Sequence, residues 1–197
     1  MGISKSQAAR NREVIVDTAA RVFRERGVDG VGVADLMKEA GFTHGGFYNH
    51  FESKENLAAE ALKAAYQESW QNFRDAVEED PQDGHKIIQF ILDGYLSKTA
   101  RDNPSTACPT SALVIDAARH RGQFQEAYAE AVENLLGIIM AALKQTGAHG
   151  NKKALRDKSI GLISGMIGAI VLARALSGAN EGFSNEVLSI ARKQLAI

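Results

Sequence analysis

A single cysteine, Cys108, occurs in the 197 residues of this chain. It has no partner for an intrachain disulfide, and a multi-cysteine zinc site is excluded. A chain so poor in cysteine has no need of an oxidising compartment, and the expected location is cytoplasmic. Proline is nearly as scarce. Pro81, Pro104 and Pro109 are the only three, so long stretches lack the residue that breaks helices. Neither sign of charge dominates: 23 Lys and Arg against 24 Asp and Glu leave a formal −1. That excludes a global pull toward nucleic acid and confines any such role to a local patch. Long hydrophobic runs are missing too. The most apolar stretch, 159–173, is fifteen uncharged residues between Lys158 and Arg174. As a helix it spans ~22 Å against a hydrocarbon core of ~30 Å, so it reads as a buried helix with no membrane partner. The opening MGISKSQAARNREVIVDTAAR has no apolar signal-peptide core. Met1-Gly2-Ile3-Ser4-Lys5-Ser6 fits the loose myristoylation pattern, but no second anchor accompanies it.

What the chain does hold is helical spacing. Ile15, Ala19, Val22 and Phe23 recur at helical intervals, opposite a wet face of Arg12, Glu13, Asp17, Arg21, Arg24 and Glu25. Gly27 follows where a C-terminal stop is wanted. VADLMKEAG puts Val33, Leu36, Met37 and Ala40 on one face, with Gly41 at a left-handed turn position. Ser53 reads as the N-cap of a long helix from Lys54 to about Glu79, and Glu55 suits the positive end of its dipole. After a break at 80–84, Ile87, Ile88, Ile91, Leu92 and Tyr95 mark another helix. Leu113, Val114 and Ala117 mark a short one after Pro109, and Phe124, Tyr128, Val132, Leu135, Leu136 and Ile139 form a stripe to about Gln145. A turn at 147–151 precedes an apolar helix over 155–176 and an amphipathic one over 185–195. Strand-like alternation and internal repeats are lacking. The expectation is an all-α chain of about nine helices.

Residues 33–51 carry the chemistry. Two short helices joined through Gly41-Phe42 have the form of a helix-turn-helix. Gly45 and Gly46 fall in the first turn of the second, at 43–50, each costing ~1 kcal/mol of helix propensity relative to alanine. Without side-chain bulk there, backbone N–H groups can press against a phosphate-bearing surface. Phe47 and Phe51, four apart, can anchor the segment on Leu36, Met37 and Ala40. Thr43, His44, Tyr48, Asn49 and His50 are left facing outward, with side chains of the kind that contact phosphates and base edges. A tight turn with two aromatic anchors is the plainer alternative. Local charge favours the first reading modestly, since residues 1–26 hold six bases against three acids, +3 against −4 for the remainder.

The stretches RNREVIVDTAARVFRERG and VADLMKEAGFTHGGFYNHFESKENL resemble the N-terminal domain of TetR-type transcriptional regulators, over about residues 10–62. The resemblance implies a three-helix DNA-binding domain at 1–53 and a helical ligand-binding and dimerisation domain at 54–197. It implies that the 43–50 helix enters the major groove of a double-stranded, near-palindromic operator, with each subunit of a homodimer reading one half. Carried onto this chain, it puts Thr43, His44, Gly45, Gly46 and Asn49 near base edges and Tyr48, His50 and Lys54 at phosphates. Two positions depart from the pattern. Gly32 stands where a Ser or Thr cap is common, and His44 stands where many relatives have lysine, which lowers the expected affinity and ties it to pH.

In 155–176, Gly161, Gly165, Gly168 and Ala169 sit beside Leu162, Ile163, Met166, Ile167 and Ile170, so the helix is apolar almost all round and must be covered on more than one side. A core helix within one subunit satisfies that. The resemblance implies the other solution, a two-fold four-helix interface with 185–195, through Leu162, Gly165, Met166, Ala169, Ala173 and Leu188. It further implies a small-molecule effector, mainly apolar or aromatic, held among Trp70, Phe73, Phe90, Tyr95, Phe124 and Tyr128. Cys108, just ahead of an expected helix start, reads either as a thiol activated by that helix N-terminus or as a small buried hydrophobe. The function expected is an effector-released or thiol-released repressor with no cofactor, no metal and no catalysis. Two alternatives are a helical adaptor binding protein alone, and a cysteine-dependent enzyme with His85 or His120 as base.

Overall fold

The computed structural model describes residues 4–79, 83–147 and 151–197, with the side chains of 72–79 not described. Helix α1, Lys5–Arg26, starts where Ser4 Oγ accepts the Gln7 N–H at 3.2 Å and stops at Gly27, whose φ of 76° closes the last turn. Helix α2, Val33–Glu39, has Gly32 at its N-cap with no side-chain cap bond. A 3-10 helix, His44–Asn49, comes next, and α3, Lys54–Glu79, begins with Ser53 Oγ accepting the Asn56 N–H at 3.0 Å. The chain continues through α4 (Gly84–Tyr95), α5 (Lys98–Asp102), α6 (Pro109–Ala112) and α7 (Val114–Arg119). Helices α8 (Gln123–Gln145), α9 (Lys152–Ser177) and α10 (Glu181–Leu195) complete it.

There are no strands among the described residues. Eleven helical segments stand where about nine were expected. Ser97 caps the short α5 through the Ala100 N–H, and Leu113, at φ −111° and ψ 12°, splits 109–119 into α6 and α7. The last helix starts at Glu181, ahead of the expected 185, because Asn180 Oδ1 accepts the Phe183 N–H. Residues 80–82 and 148–150, inside the expected break and turn, lie outside the described residues.

Two apolar cores result. The first joins α1, α2, the 3-10 helix and the N-terminal half of α3 to Leu113, Ala117, Phe124 and Ala127. The second joins Tyr66 and Trp70 of α3 to α4, α8, α9 and α10. Helices α3 and α8 thread both. Polar ties also cross between the halves. Asp116 Oδ1 of α7 accepts the Val28 N–H at 2.6 Å, and buried Arg24 of α1 donates to the Ala107 carbonyl at 3.2 Å and to Glu68 Oε2 at 3.2 Å.

The helix α9 is covered on one side only. Leu162, Met166 and Ala173, together with Leu188 of α10, are buried in this protomer's own second core. A Cβ on Gly165 would come within 2.8 Å of Leu195 Cδ2, and Ala169 packs against the same core. Four of the six residues expected at a subunit boundary, Leu162, Met166, Ala173 and Leu188, are thus buried within the protomer, while Gly165 and Ala169 are half-buried beside α10. The face left open is a different register: Ile160, Ser164, Gly168 and Leu172 of α9, beside Phe183 and Ile190 of α10.

Candidate nucleic-acid interface and effector cavity

Helix α2 ends in a Schellman motif. The Gly41 N–H bonds to the Lys38 carbonyl and the Phe42 N–H to the Met37 carbonyl, with Gly41 at φ +84°. This turn aims the next segment across α2. That segment is 3-10 and not α-helical as expected: the Gly46 N–H bonds to Thr43 O and the His50 N–H to Phe47 O, both three residues back. Two glycines in six residues weaken the α-form enough for the tighter helix to form. Phe47, 1% exposed, plugs the first core, and Phe51 stacks beside it with ring centroids 5.6 Å apart.

The remaining residues of the segment face outward. Tyr48 is 69% exposed, and Thr43, His44, Gly45 and Asn49 are exposed with it. Gly46, His50 and Lys54 are half-buried at its margins. Nothing inside the protein demands glycine at 45: neither Gly45 nor Gly46 has positive φ, and a Cβ on Gly45 would meet no atom within 4 Å.

Arg12 positions this segment. It pairs with Glu60 of α3, donates from Nε to the His50 carbonyl at 3.4 Å and lies 4.6 Å over the Phe51 ring. Sequence counting placed it in a free basic patch, and the structure commits it. Arg24 is bound to Glu68, and Arg21 and Arg26 share Glu39, whose carboxyl is held below its ordinary range chiefly by Arg21. Of the six bases in the first 26 residues, Lys5 and Arg10 alone stand outside ion pairs among the described residues, so the surface field is weaker than the count implied.

A cavity of about 380 Å³ opens beyond the second core, between α3, α4, α5, α6 and α8. Trp70, Phe90 and Tyr95, three of the aromatic residues expected around an effector, line it together with Cys108. Phe124 does not; it is 1% exposed in the first core, at the far end of α8. Tyr128 is outside the lining as well and donates its hydroxyl to the Thr110 carbonyl at 2.7 Å. The Phe73 side chain lies outside the described residues. A second hollow of about 480 Å³, between α3 and α8, shares the Trp70 wall.

Cys108 is not an activated thiol. Its Sγ sits 3.0 Å from Thr110 Oγ1, and burial pushes the thiol up, outweighing the opposing hydrogen bonds and Arg24. The four-residue α6 supplies too little dipole to reverse this. Histidine is absent from the groups acting on it: His85 Nδ1 faces the Ile197 carbonyl, and His120 Nε2 faces Asp29. Among the described residues, no cluster of His, Cys, Asp and Glu has the makings of a metal site.

Residues 15–61 match the family model for bacterial regulatory proteins of the tetR family. The transcriptional regulator LmrA of Bacillus subtilis is 29% identical over 145 residues, covering 72% of this chain and 76% of that protein. The repressor KstR2 of Mycolicibacterium smegmatis is 38% identical over 58 residues, only 29% of this chain and 28% of its own length. The fold is shared almost end to end with a TetR transcriptional regulator from Chloroflexus aurantiacus, at a TM-score of 0.79, 24% identity and 97% and 94% coverage. The matched stretch takes in the Gly41 turn and the outward-facing segment after it, so residues 15–61 form a domain of the tetR regulatory-protein type, on a fold shared with a TetR regulator.

Proposed function

We propose that the protein is a homodimeric repressor that binds a near-palindromic operator and is released by a small molecule entering the cavity. The exposed segment 43–49 carries the reading. A Cβ on Gly45 would meet only open space, and the side chains around it offer hydrogen bonds outward while Phe47 fixes them from beneath. In this reading Thr43, His44, Gly45, Gly46 and Asn49 meet base edges, and Tyr48, His50 and Lys54 meet phosphates.

The open α9–α10 face, with Ile160, Leu172, Phe183 and Ile190 each close to half exposed, is the surface a second copy would cover. Pairing there would set the two recognition segments near the ~34 Å spacing of successive major grooves. An effector works by favouring the non-binding arrangement. The cavity wall at Ala107 is hydrogen-bonded to Arg24 of α1, and Asp116 of α7 holds the α1–α2 turn, so movement of α6 and α7 would reach the recognition segment and the tilt of α3.

A gel shift on the DNA upstream of the gene tests this, with two variants. Tyr48→Ala is expected to weaken every sequence alike, by roughly tenfold, while His44→Ala changes which operator variant is preferred, by about 1–3 kcal/mol at the affected base pair. Equal losses on all variants for His44→Ala remove its base-reading role, and no retarded band for the unmodified protein sinks the proposal.

A further inference from the structure

Arg174 has an unusual setting. It lies near the C-terminal end of α9, and its guanidinium reaches back to the wall of the cavity. Nη2 donates to the Ala100 carbonyl at 2.8 Å, and Nη1 lies 3.4 Å from Ser111 Oγ; Ala100 and Ser111 both line the cavity. Nε is buried and has no partner. The two most buried arginines each face a carboxylate, Arg24 with Glu68 and Arg101 with Asp102. Among the described residues Arg174 has none. Its acceptors are neutral, and one of the two contacts is long enough to be weak. Burial correspondingly pulls the guanidinium down from its ordinary range. Arg174 is half-buried, and no counter-charge among the described residues offsets the desolvation of its guanidinium.

The lining offers no charged partner for a polar ligand. It contains no Asp, Glu, Lys, Arg or His. Its hydroxyls are largely spent as donors within the backbone: Ser69 on Ala65, Ser97 on Gly94, Thr106 on Asn103 and Ser111 on Cys108. Two cationic forks reach the wall; Arg24, at Ala107, is paired with Glu68, and the Arg174 fork, at Ala100 and Ser111, faces no carboxylate among the described residues and matches one in shape. The opposite wall, with Trp70, Phe90, Ile91 and Leu135, is apolar.

We infer that the effector is an amphipathic organic anion, its carboxylate-like head at Ser111 and Arg174 and its apolar body along Trp70, Ile91 and Leu135. This rests on reading the cavity as the effector site, and it replaces the mainly apolar ligand that the sequence implied.

Trp70 is the chain's one tryptophan and lies in the wall, so its fluorescence reports occupancy without any DNA present. Decanoate and 4-phenylbutanoate are titrated against their methyl esters on the full chain. Each acid is expected to bind roughly tenfold or more tighter than its ester, as a charged hydrogen bond warrants. Arg174→Met is expected to erase that preference to within about twofold while ester affinity is kept, and Arg174→Lys to retain part of it. A thermal melt checks that both variants fold. Equal affinity for acid and ester, a preference that survives Arg174→Met, or no quenching by either acid overturns the inference. A parallel gel shift separates the two readings. Acid preference without any operator complex supports the ligand class and removes the repressor; DNA release by acid and ester alike keeps the repressor and overturns the ligand class.

Discussion

The exposed 43–49 segment and the cavity beside Trp70 use aromatic residues in opposite ways. In the segment, Gly45 touches nothing and Tyr48 stands in solvent, so these residues are idle within the fold. Around the cavity, Trp70 and Tyr95 are 9% exposed and serve as core and wall together. Away from the cavity, at the start of α4, glycine is structural as well, since a Cβ on Gly84 would come within 2.1 Å of the Ala142 carbonyl and force α4 off α8. The exposed segment is thus separable from stability, whereas the cavity is lined by the same side chains that hold the protein together.

That contrast is open to attack. The largest effect is expected where the segment does touch the core. Phe47→Ala empties a fully buried site and is expected to cost about 3–5 kcal/mol, seen as a fall in melting temperature together with loss of operator binding. An unchanged melt would show that the segment is not anchored as described. Next comes the open α9–α10 face. Ile190→Asp, at a residue 50% exposed, is expected to leave the protomer's helicity intact while sedimentation shifts from dimer to monomer. A dimer that persists moves the partner surface elsewhere. The smallest change is the sharpest. Gly45→Ala meets open space, so stability is expected to rise by about 0.5–1 kcal/mol while operator affinity falls. If affinity is unaffected, the glycine is not there for the duplex.

The same contrast explains what the sequence made legible. The helical stripes, the Ser53 cap and the Gly41 turn were readable because periodicity and capping act locally. The outward residues of 43–50 stood out because two glycines violate helix propensity with no apolar compensation nearby. The cavity was readable only in part. Phe124 and Trp70 are equally apolar in the sequence, and the side each presents depends on how α3 and α8 cross, which is a non-local fact. The burial of Leu162, Met166 and Ala173 in the protomer's own core was hidden for a similar reason: an apolar helix gives no sign of which stripe its own neighbour takes and which it leaves. Arg174 was passed over because one charge ending an apolar run reads as a boundary, although that position is also where a half-buried cation arises. Ion pairing across elements, such as Arg12 with Glu60, left no trace in a charge count.

Helices α3 and α8 each pass through both apolar cores, and this bears on how the molecule loses its structure. The interior around Phe47 borrows Leu57 and Leu62 from α3 and Phe124 from α8, so neither half owns a complete interior. A fragment ending at residue 53 would expose that interior to water. The two ends are therefore expected to melt together, and damage near the cavity is expected to lower the unfolding free energy of the 43–50 end without touching it.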